Sequence, residues 1–478
     1  MLNDPKLFCQ KAYISGEWVD ASDDQVILVN NPFDESIIGS VPACKAIQVN
    51  DAIESAQSAQ QDWARMSSIA RSDVLAAWYE LICQNQDDLA RIMTLEQGKP
   101  LHEALSEIHY AASFVRWYGE EARRLSGHVM QPDGDHRVVV LKEAVGVTAA
   151  ITPWNFPSAM VTRKVAPALA AGCAMIVKPS ELTPFSALAL AALAERAGVP
   201  PGLFSVVTGD AREIGEGLLK SSIVRKLSFT GSTAIGKYLM AQSADTVKRL
   251  TLELGGNAPL VVFNDADLDV AVDGIIASKF RNAGQTCVCT NRAYVQSEVY
   301  DEVCLKIAKK LEGIIVGNGL DPAVAIGPLI NDMAVSKVKS HVEDALSRGA
   351  RIVGDELTIN GRVILPVLLA DVPSDALIAT EETFGPVLPL FRFETEQEVI
   401  QLANATPFGL AGYVFSRDVS RAWRVSEAFE CGMVGINTGA ISMASAPFGG
   451  IKHSGLGREG GSAGIEEYLE MKTLHFHL

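Results

Sequence analysis

The chain has 478 residues, with 41 Lys and Arg against 57 Asp and Glu, which gives a formal charge of −16. This acidic balance argues against binding to nucleic acid or to an anionic membrane, because proteins of those classes carry a basic surface. Hydrophobic residues make up 48% of the chain, so a globular protein of two or three domains is expected.

The N-terminal segment and the cysteines indicate the cellular compartment of the protein. Residues 1–18 contain no apolar run of the kind found in a secretory signal, and later apolar stretches are interrupted by Lys or Arg. The eight cysteines are scattered, which fits reduced thiols in a large intracellular protein better than a disulfide framework. We therefore expect a cytoplasmic protein without a membrane segment.

In the first part of the chain, a short strand-and-turn lead-in precedes segments with the apolar spacing of amphipathic helices, at 50–66, 70–95 and 100–123. Four short apolar segments then alternate with helical ones, at 147–151, 174–177, 204–207 and 226–229. Repeated strand–helix–strand units predict a parallel sheet with helices on both faces, an architecture that favours a nucleotide ligand.

A second alternating series follows a boundary near residue 253. Its predicted strands lie near 259–263, 291–296, 387–392, 409–415 and 432–436, with helices near 266–281, 299–314, 328–349, 396–405 and 418–428. The series predicts a second α/β domain with its own core. Residues 474–478 alternate between apolar and polar, the pattern of a half-buried strand that can pair outside its own domain.

One glycine-rich turn resembles a phosphate-binding loop. Gly231–Lys237 matches the pattern G-x-x-x-x-G-K, but Tyr238 stands where a Ser or Thr hydroxyl would bind magnesium. The sequence therefore disfavours a P-loop NTPase and favours a helix N-terminus that receives a pyrophosphate without metal. A turn that simply requires glycines remains the alternative.

Two further loops follow predicted strands. Trp154 and Asn155 come after the first strand, and Pro157 suits the first position of a helix, so both residues lie where parallel sheets bind ligands. The Asn155 amide can stabilise an oxyanion, or it can simply be a loop residue. Lys178–Glu181 follows the second strand, and a carboxylate there can accept the ribose hydroxyls of adenosine unless the loop is only solvated.

The segment 281–289 reads Arg-Asn-Ala-Gly-Gln-Thr-Cys-Val-Cys. A Gly-Gln-Thr turn before Cys287 gives an accessible thiol near backbone N–H groups, which suits a nucleophile. Cys287 and Cys289 lack the further ligands that zinc needs, so no metal site is expected, and two buried structural cysteines are the rival interpretation. His453 or Glu253 can serve as the base, and Glu253 lies at the domain junction beside glycines.

Together these motifs resemble, in order and spacing, the aldehyde dehydrogenase superfamily, and within it most closely the succinate-semialdehyde dehydrogenases. The matching segments are 153–157, 178–181, 229–232, 253–256, 284–287, 381–386 and 447–450. The resemblance implies an α/β fold with a Rossmann-like cofactor domain, an α/β catalytic domain and a small β extension for oligomerisation. The residues so assigned are 1–125 and 146–252 for NAD(P) binding, 253–450 for catalysis, and 126–145 and 465–478 for the oligomerisation strands.

The resemblance also implies a mechanism. Cys287 would attack the aldehyde, Asn155 and the Cys287 backbone N–H would hold the oxyanion, and Glu253 would activate the water that hydrolyses the thioester. A catalytically inactive relative is disfavoured, because all three residues are present.

The cofactor site implied by the resemblance is spread over several loops. Its residues are Trp154, Lys178, Ser180, Glu181, Gly231, Ser232, Glu382 and Phe384. Glu181 would repel a 2′-phosphate, so NAD is expected to be preferred, with NADP as the secondary cofactor.

The substrate implied by the resemblance carries a distal carboxylate, held by Arg163, Arg281 and Ser442. Succinate semialdehyde is the expected substrate, with glutarate semialdehyde or a broader range of aldehydes as the alternative. Cys289 is a candidate redox switch through a reversible disulfide with Cys287, or a small buried residue. Members of the superfamily are homodimers or homotetramers.

Overall fold

The structure is a computed structural model, and it describes residues 2–477. A lead-in of short strands precedes four helices: β1 (Ala12–Ile14), β2 (Glu17–Val19), β3 (Val26–Asn30), β4 (Ile37–Pro42), α1 (Ala46–Arg65), α2 (Ser68–Gln84), α3 (Gln86–Gln97) and α4 (Leu101–Glu121). The single helix predicted over 70–95 is wrong. Asn85 leaves helical geometry, with φ −107° and ψ 16°, and separates α2 from α3.

The predicted alternation of strands and helices comes next. The elements are β5 (His128–Met130), β6 (His136–Ala144), β7 (Val147–Ile151), α5 (Ala159–Ala171), β8 (Ala174–Lys178), α6 (Pro184–Arg196), β9 (Phe204–Val206), α7 (Ala211–Lys220), β10 (Val224–Thr230), α8 (Thr233–Gln242) and β11 (Arg249–Glu253). All four strands predicted over 147–229 are confirmed, each within two residues of its expected ends. Pro157 does not open the helix as expected, since Ser158 is the N-cap of α5.

The central strands of this half form the parallel order β9-β8-β7-β10-β11. β1 and β2 extend the sheet at one edge, and a short strand at 455–456 pairs antiparallel with β11 at the other. Strand order reverses between β7 and β10, which is the switch point where open α/β sheets bind ligands. The loops at 152–158 and 231–232 leave the sheet at this point.

The second half is also built from alternating strands and helices around a mainly parallel sheet. Its elements are β12 (Ala258–Val262), α9 (Leu268–Phe280), β13 (Thr290–Gln296), α10 (Tyr300–Leu311), α11 (Asp332–Ser347), β14 (Arg351–Val353), β15 (Ile359–Asn360), β16 (Val363–Ile364), β17 (Val367–Ala370), α12 (Leu377–Thr380), β18 (Val387–Phe393), α13 (Glu396–Asn404), β19 (Ala411–Phe415), α14 (Val419–Ala428) and β20 (Met433–Ile436). The main sheet has the order β14-β17-β18-β13-β12-β19-β20. Sequence analysis missed β14 and β17 and began the helix near 328 about four residues too early.

The chain ends with β21 (Gly455–Leu456), α15 (Gly461–Glu466) and β22 (Leu469–His477). β22 pairs antiparallel with β6 along its whole length, and β5 covers the other edge of β6. The strand expected over 465–478 begins only at Leu469, because α15 continues through Glu466. Met1 and Leu478, which the predicted segments include, lie outside the described residues.

Buried apolar side chains form two large clusters. The first runs from Leu7 to Leu254 and includes residues of the C-terminal segment, and the second runs from Ala258 to Phe448. The chain therefore passes from the first cluster to the second in the loop that follows β11. Within residues 2–477, no helix combines the length and apolar character needed to cross a bilayer.

Candidate active site

Cys287 lies in the loop between α9 and β13, and this loop has a constrained backbone. Asn282, Ala283 and Gly284 have positive φ values of 52°, 56° and 74°. A Cβ atom on Gly284 would lie 2.3 Å from the carbonyl oxygen of Gly385, so only glycine fits there. The Gln285 side chain holds the loop, because its Nε2 donates to the Asn282 carbonyl (3.1 Å) and its Oε1 accepts from the Ile330 N–H (2.9 Å).

Asn155 is held against the Cys287 loop from both ends. Its Nδ2 donates to the Gln285 carbonyl at 3.0 Å. Its backbone carbonyl accepts from the Lys99 ammonium at 2.8 Å and from Asn282 Nδ2 at 3.0 Å. The structure therefore holds Asn155 by hydrogen bonds against the loop that carries Cys287, its predicted catalytic partner.

A buried ion pair that sequence analysis did not single out supports Asn155. The Lys99 ammonium contacts the Glu107 carboxylate, and both side chains are 1% exposed. The other carboxylate oxygen of Glu107 accepts from the N–H groups of Ser158 (2.9 Å) and Ala159 (3.1 Å), where α5 begins. Neither residue belongs to a recognisable motif. The sequence shows only a Lys and a Glu eight residues apart at the start of a predicted helical segment, and nothing in it indicates that both are buried.

Glu253 ends β11 as a deeply buried carboxyl group. The residue is 2% exposed, and neither carboxylate oxygen has a hydrogen-bond partner among the described residues. Burial, and next the negative charge of Glu459, raise the pKa of Glu253 well above its usual value, although Arg163 and Lys164 oppose them. A carboxyl group with a raised pKa suits proton transfer near neutral pH.

The Cys287 thiol is protonated in its present surroundings. Burial, with a smaller contribution from the Glu382 carboxylate, raises the pKa of Cys287 to about 12, and Arg163 acts in the opposite direction. The thiol must therefore lose its proton as it attacks a substrate, since the thiolate is the nucleophile. The other base considered, His453, is an exposed residue whose backbone carbonyl accepts from the Thr233 hydroxyl.

The two arginines predicted to bind substrate lie in different surroundings. Arg163, on α5, is 1% exposed and pairs with Glu459, while its guanidinium covers the Phe448 ring at 4.1 Å. Its Nη2 has no hydrogen-bond partner among the described residues. Arg281 is exposed, and its guanidinium lies 5.1 Å from the centre of the Phe156 ring. Only Arg281 therefore presents its charge to an open space.

That space is a cavity of about 470 Å³ between α4, α9 and the loop before Cys287. Arg281 and Ser442, two of the residues predicted to bind substrate, line it, whereas Arg163 does not. Phe156, the neighbour of Asn155, also lines the cavity. Further lining residues that sequence analysis missed are Lys99, His102, Glu103, Ser106, Glu107, Tyr110, Ile276, Ala277, Phe280, Ile314, Ala325 and Ile326.

Residues predicted to bind the adenosine end of a cofactor meet at the switch point of the first sheet. The Lys178 ammonium, at the end of β8, is 2.8 Å from the Glu181 carboxylate. Although burial alone would raise it, the pKa of Glu181 is held below its usual value by Lys178. The Ser180 hydroxyl accepts from the Leu182 N–H at 3.2 Å and so shapes the same turn.

The predicted phosphate-binding turn joins β10 to α8. The Gly231 N–H donates to the Glu253 carbonyl (3.0 Å), and the Ser232 hydroxyl caps α8 by accepting from the Ile235 N–H (3.4 Å). The positive end of the α8 dipole therefore faces the switch point, which suits a pyrophosphate. Tyr238 is 43% exposed on α8.

Residues predicted to contact the nicotinamide end come from both halves of the chain. The Trp154 and Phe384 rings pack edge to face with centroids 5.7 Å apart. Glu382 accepts from the Gly256 N–H at 3.2 Å, and burial raises the pKa of this carboxyl to about 7. This set of a buried carboxyl group, a capped helix N-terminus and flanking aromatic rings fits a dinucleotide.

Cys289 is a buried free thiol. It is 0% exposed, its Sγ lies 3.8 Å from Asn291 Oδ1, and neither it nor Cys287 forms a disulfide. Lys279, also fully buried, has no hydrogen-bond partner for its ammonium among the described residues and lowers the pKa of Cys289, against the larger raising effect of burial. Among residues 2–477, no group of three or more His, Cys, Asp or Glu side chains is arranged to hold a metal ion.

Comparison with known proteins agrees with this geometry. A model of the aldehyde dehydrogenase family matches residues 18–474. The chain is 56% identical, over 99% of both chains, to a glutarate-semialdehyde dehydrogenase of Pseudomonas aeruginosa and to the succinate-semialdehyde dehydrogenase [NADP(+)] GabD of Escherichia coli. A crystal structure of succinate-semialdehyde dehydrogenase from Burkholderia pseudomallei is 54% identical and superposes with a TM-score of 0.98 over 100% of both chains.

Proposed function

Since the chain belongs to the aldehyde dehydrogenase family, we propose that it oxidises succinate semialdehyde, or a close carboxylated semialdehyde, with NAD(P). The observation that carries the substrate assignment is the cavity beside the Cys287 loop, where Arg281 and Ser442 face open space. An unpaired guanidinium and a hydroxyl bind a carboxylate by charge-assisted hydrogen bonds. Arg163, which does not line the cavity, adds positive charge, and its Nη2 has no hydrogen-bond partner among the described residues.

In the proposed mechanism, the Cys287 thiol releases its proton to water, and the thiolate attacks the aldehyde carbon to form a thiohemiacetal. Asn155 Nδ2 and the Cys287 backbone N–H hold the oxyanion, and the hydrogen bonds that fix Asn155 keep these donors oriented before reaction. Glu382 and Phe384 would help to hold NAD(P), which would supply the hydride acceptor for this carbon and so allow the Cys287 adduct to become a thioester. Glu253 then takes a proton from water, and the resulting hydroxide cleaves the thioester to the carboxylate and free Cys287.

Trp154, Lys178, Ser180, Glu181, Gly231, Ser232, Glu382 and Phe384 are proposed to hold the cofactor. Glu382 accepts hydrogen bonds from the nicotinamide ribose, and Glu181 accepts them from the adenosine ribose. We propose that NAD is preferred, because the Glu181 carboxylate stays ionised beside Lys178 and repels a 2′-phosphate. NADP is the second candidate, and the Escherichia coli relative carries that cofactor in its name.

Initial rates with each cofactor test this preference. We expect a higher kcat/KM with NAD than with NADP in the wild type. In the Glu181→Gln variant, kcat/KM with NADP should rise while kcat/KM with NAD stays the same. Glu195→Gln, which removes an acidic group from α6, is the control and should leave the ratio unchanged. A wild type that prefers NADP would contradict the assignment to Glu181.

A panel of aldehydes tests the substrate class. We expect succinate semialdehyde to exceed butanal in kcat/KM by about 10- to 100-fold, the range that one or two charge-assisted hydrogen bonds provide. Glutarate semialdehyde is the second candidate, because a relative of equal identity carries that name. Equal rates for charged and uncharged aldehydes would contradict a carboxylate site.

For the cysteine pair, we propose a reversible disulfide that switches off activity under oxidation. Two thiols lose two electrons and two protons, and hydrogen peroxide is reduced to water. The buried position of Cys289 requires the 286–290 loop to rearrange first. Activity lost in dilute peroxide should return with a thiol reductant in the wild type but not in Cys289→Ala, where Cys287 is oxidised beyond the sulfenic acid. Equal recovery in both proteins would exclude the switch.

The assembly is proposed to be a homodimer or homotetramer built through the β22-β6-β5 sheet, with 1–125 and 146–252 as the cofactor domain and 253–450 as the catalytic domain. A cytoplasmic location is proposed from the eight free cysteines.

A further inference from the structure

Tyr110 lies on α4, one turn beyond Glu107, and reaches the substrate cavity. Its ring packs against Phe114, with centroids 4.8 Å apart, and joins the small cluster formed by Ala159 and Met160 at the start of α5. The residue lines the same cavity as Arg281 and Ser442. Its side chain is therefore held in place by packing on one side and faces the cavity on the other.

The Tyr110 hydroxyl is an unusual polar group within this wall. The oxygen is buried, and it has no hydrogen-bond partner among residues 2–477. Leaving a buried hydroxyl without a partner is unfavourable by roughly 1–3 kcal/mol, so such groups commonly have a functional reason. Phenylalanine would fill the same volume at this position without that disadvantage.

The groups around the hydroxyl are those of an anion site. Burial, and to a smaller extent the Glu459 carboxylate, raise the pKa of Tyr110, while the positive charges of Arg163 and Arg281 lower it. The phenol is thus protonated at neutral pH, which makes it a donor and not an anion. Two of the three residues that the sequence predicted for the substrate carboxylate, Arg281 and Ser442, line the same cavity as Tyr110.

We propose that the Tyr110 hydroxyl donates a hydrogen bond to the distal carboxylate of the substrate, together with Arg281 and Ser442, and so determines specificity for carboxylated aldehydes. The inference rests on the proposed function and extends it to a residue outside every motif. Because the phenol is a neutral donor held by packing, it selects for an acceptor at a fixed distance from the aldehyde carbon. An uncharged aldehyde leaves the hydroxyl without a partner, as it is among the residues that the structure describes.

Tyr110→Phe removes one oxygen and tests this role. With succinate semialdehyde we expect KM to rise about tenfold or more and kcat to change less than about threefold, as for the loss of one hydrogen bond to a charged group. With butanal, kcat/KM should stay within about twofold of the wild type. Tyr79→Phe, on α2 beside Arg116, removes a phenol hydroxyl away from the cavity and should leave all rates unchanged.

The outcomes separate this inference from the proposed function. A wild type without preference for succinate semialdehyde over butanal contradicts the proposed function itself. A wild type with that preference, and a Tyr110→Phe variant that keeps it, contradicts only the role of Tyr110. Equal loss for both aldehydes, or a lower melting temperature with unchanged selectivity, indicates a structural role and also overturns the proposal.

Discussion

Charged residues of the site act through their local surroundings more than through the net charge. The chain carries −16, which is unfavourable for an anionic substrate and an anionic cofactor, but fields from surface charges fade beyond about 8 Å at physiological salt. Lys178, Arg163 and Arg281 supply positive potential where each is needed. Of these, Arg163 and Lys178 have carboxylate partners, and Arg281 lies over an aromatic ring at the cavity.

Arg281→Ala should raise KM for succinate semialdehyde by about 10- to 100-fold, because a charge-assisted pair with the carboxylate is lost. KM for butanal should change by less than about threefold. Steady-state kinetics with both aldehydes measure the effect, and Arg212→Ala, on the exposed face of α7, is the control. Equal increases for the two aldehydes would show that Arg281 does not bind the carboxylate.

The protonation state of Glu253 should make the turnover rate depend on pH. The proposed base works only when deprotonated, and its pKa is raised, so turnover should increase with pH through the neutral range as the carboxyl group loses its proton.

Glu253→Gln should keep the first burst of reduced nicotinamide and lose about 100-fold or more in steady-state rate, because thioester hydrolysis lacks its base. Stopped-flow absorbance separates the two phases. A variant that loses the burst and keeps steady-state turnover would contradict this assignment.

At the scale of elements, apolar patterning predicted most strands and helices, and it failed where polar contacts decide the backbone. The strands of the first sheet were predictable because they are buried on both faces and read as continuous apolar runs. The break at Asn85 and the short antiparallel strand β14 were not, since neither carries a strong period. The Cys287 loop depends on positive φ at consecutive residues, two of which are not glycine.

Gly284→Ala should disable this loop. Its φ is +74°, and a Cβ would meet the Gly385 carbonyl oxygen at 2.3 Å, so backbone strain of about 1–2 kcal/mol adds to a clash. We expect kcat to fall at least about tenfold and the melting temperature to fall. Gly198→Ala is a matched control, because its φ is +89° but its Cβ would meet open space. In the Gly198→Ala control, calorimetry should show a lower melting temperature from backbone strain, and kcat should equal that of the wild type.

At the scale of the whole molecule, the β22-β6-β5 sheet is largely exposed, because most side chains of β5 and β22 are exposed and most of those of β6 are half-buried. Register puts Val129, Val139 and Leu474 on one face, and Val129 is 72% exposed. An apolar face beside an open strand edge is typical of a surface buried between subunits.

Val129→Glu should therefore lower the oligomeric state without unfolding the subunit. A charge at this exposed position should change the stability of the isolated subunit little. The same charge destabilises the assembly when it is buried between subunits. Light scattering after size-exclusion chromatography gives the mass. Val419→Glu, at a position 78% exposed on α14, is the control and should leave the mass unchanged. A wild-type protein that is monomeric at micromolar concentration would overturn the assembly.

The sequence by itself determined the family and the α/β fold, and it predicted the residues of the chemistry from short motifs beside strand ends. Trp154, Asn155, Glu253 and Cys287 are examples. Tertiary structure alone decided which charges meet. It paired Lys99 with Glu107 beneath Asn155, turned Arg163 towards Glu459, and left Arg281, Ser442 and Tyr110 around one cavity. Contacts of this kind join residues far apart in the chain, and no local period or spacing in the sequence records them.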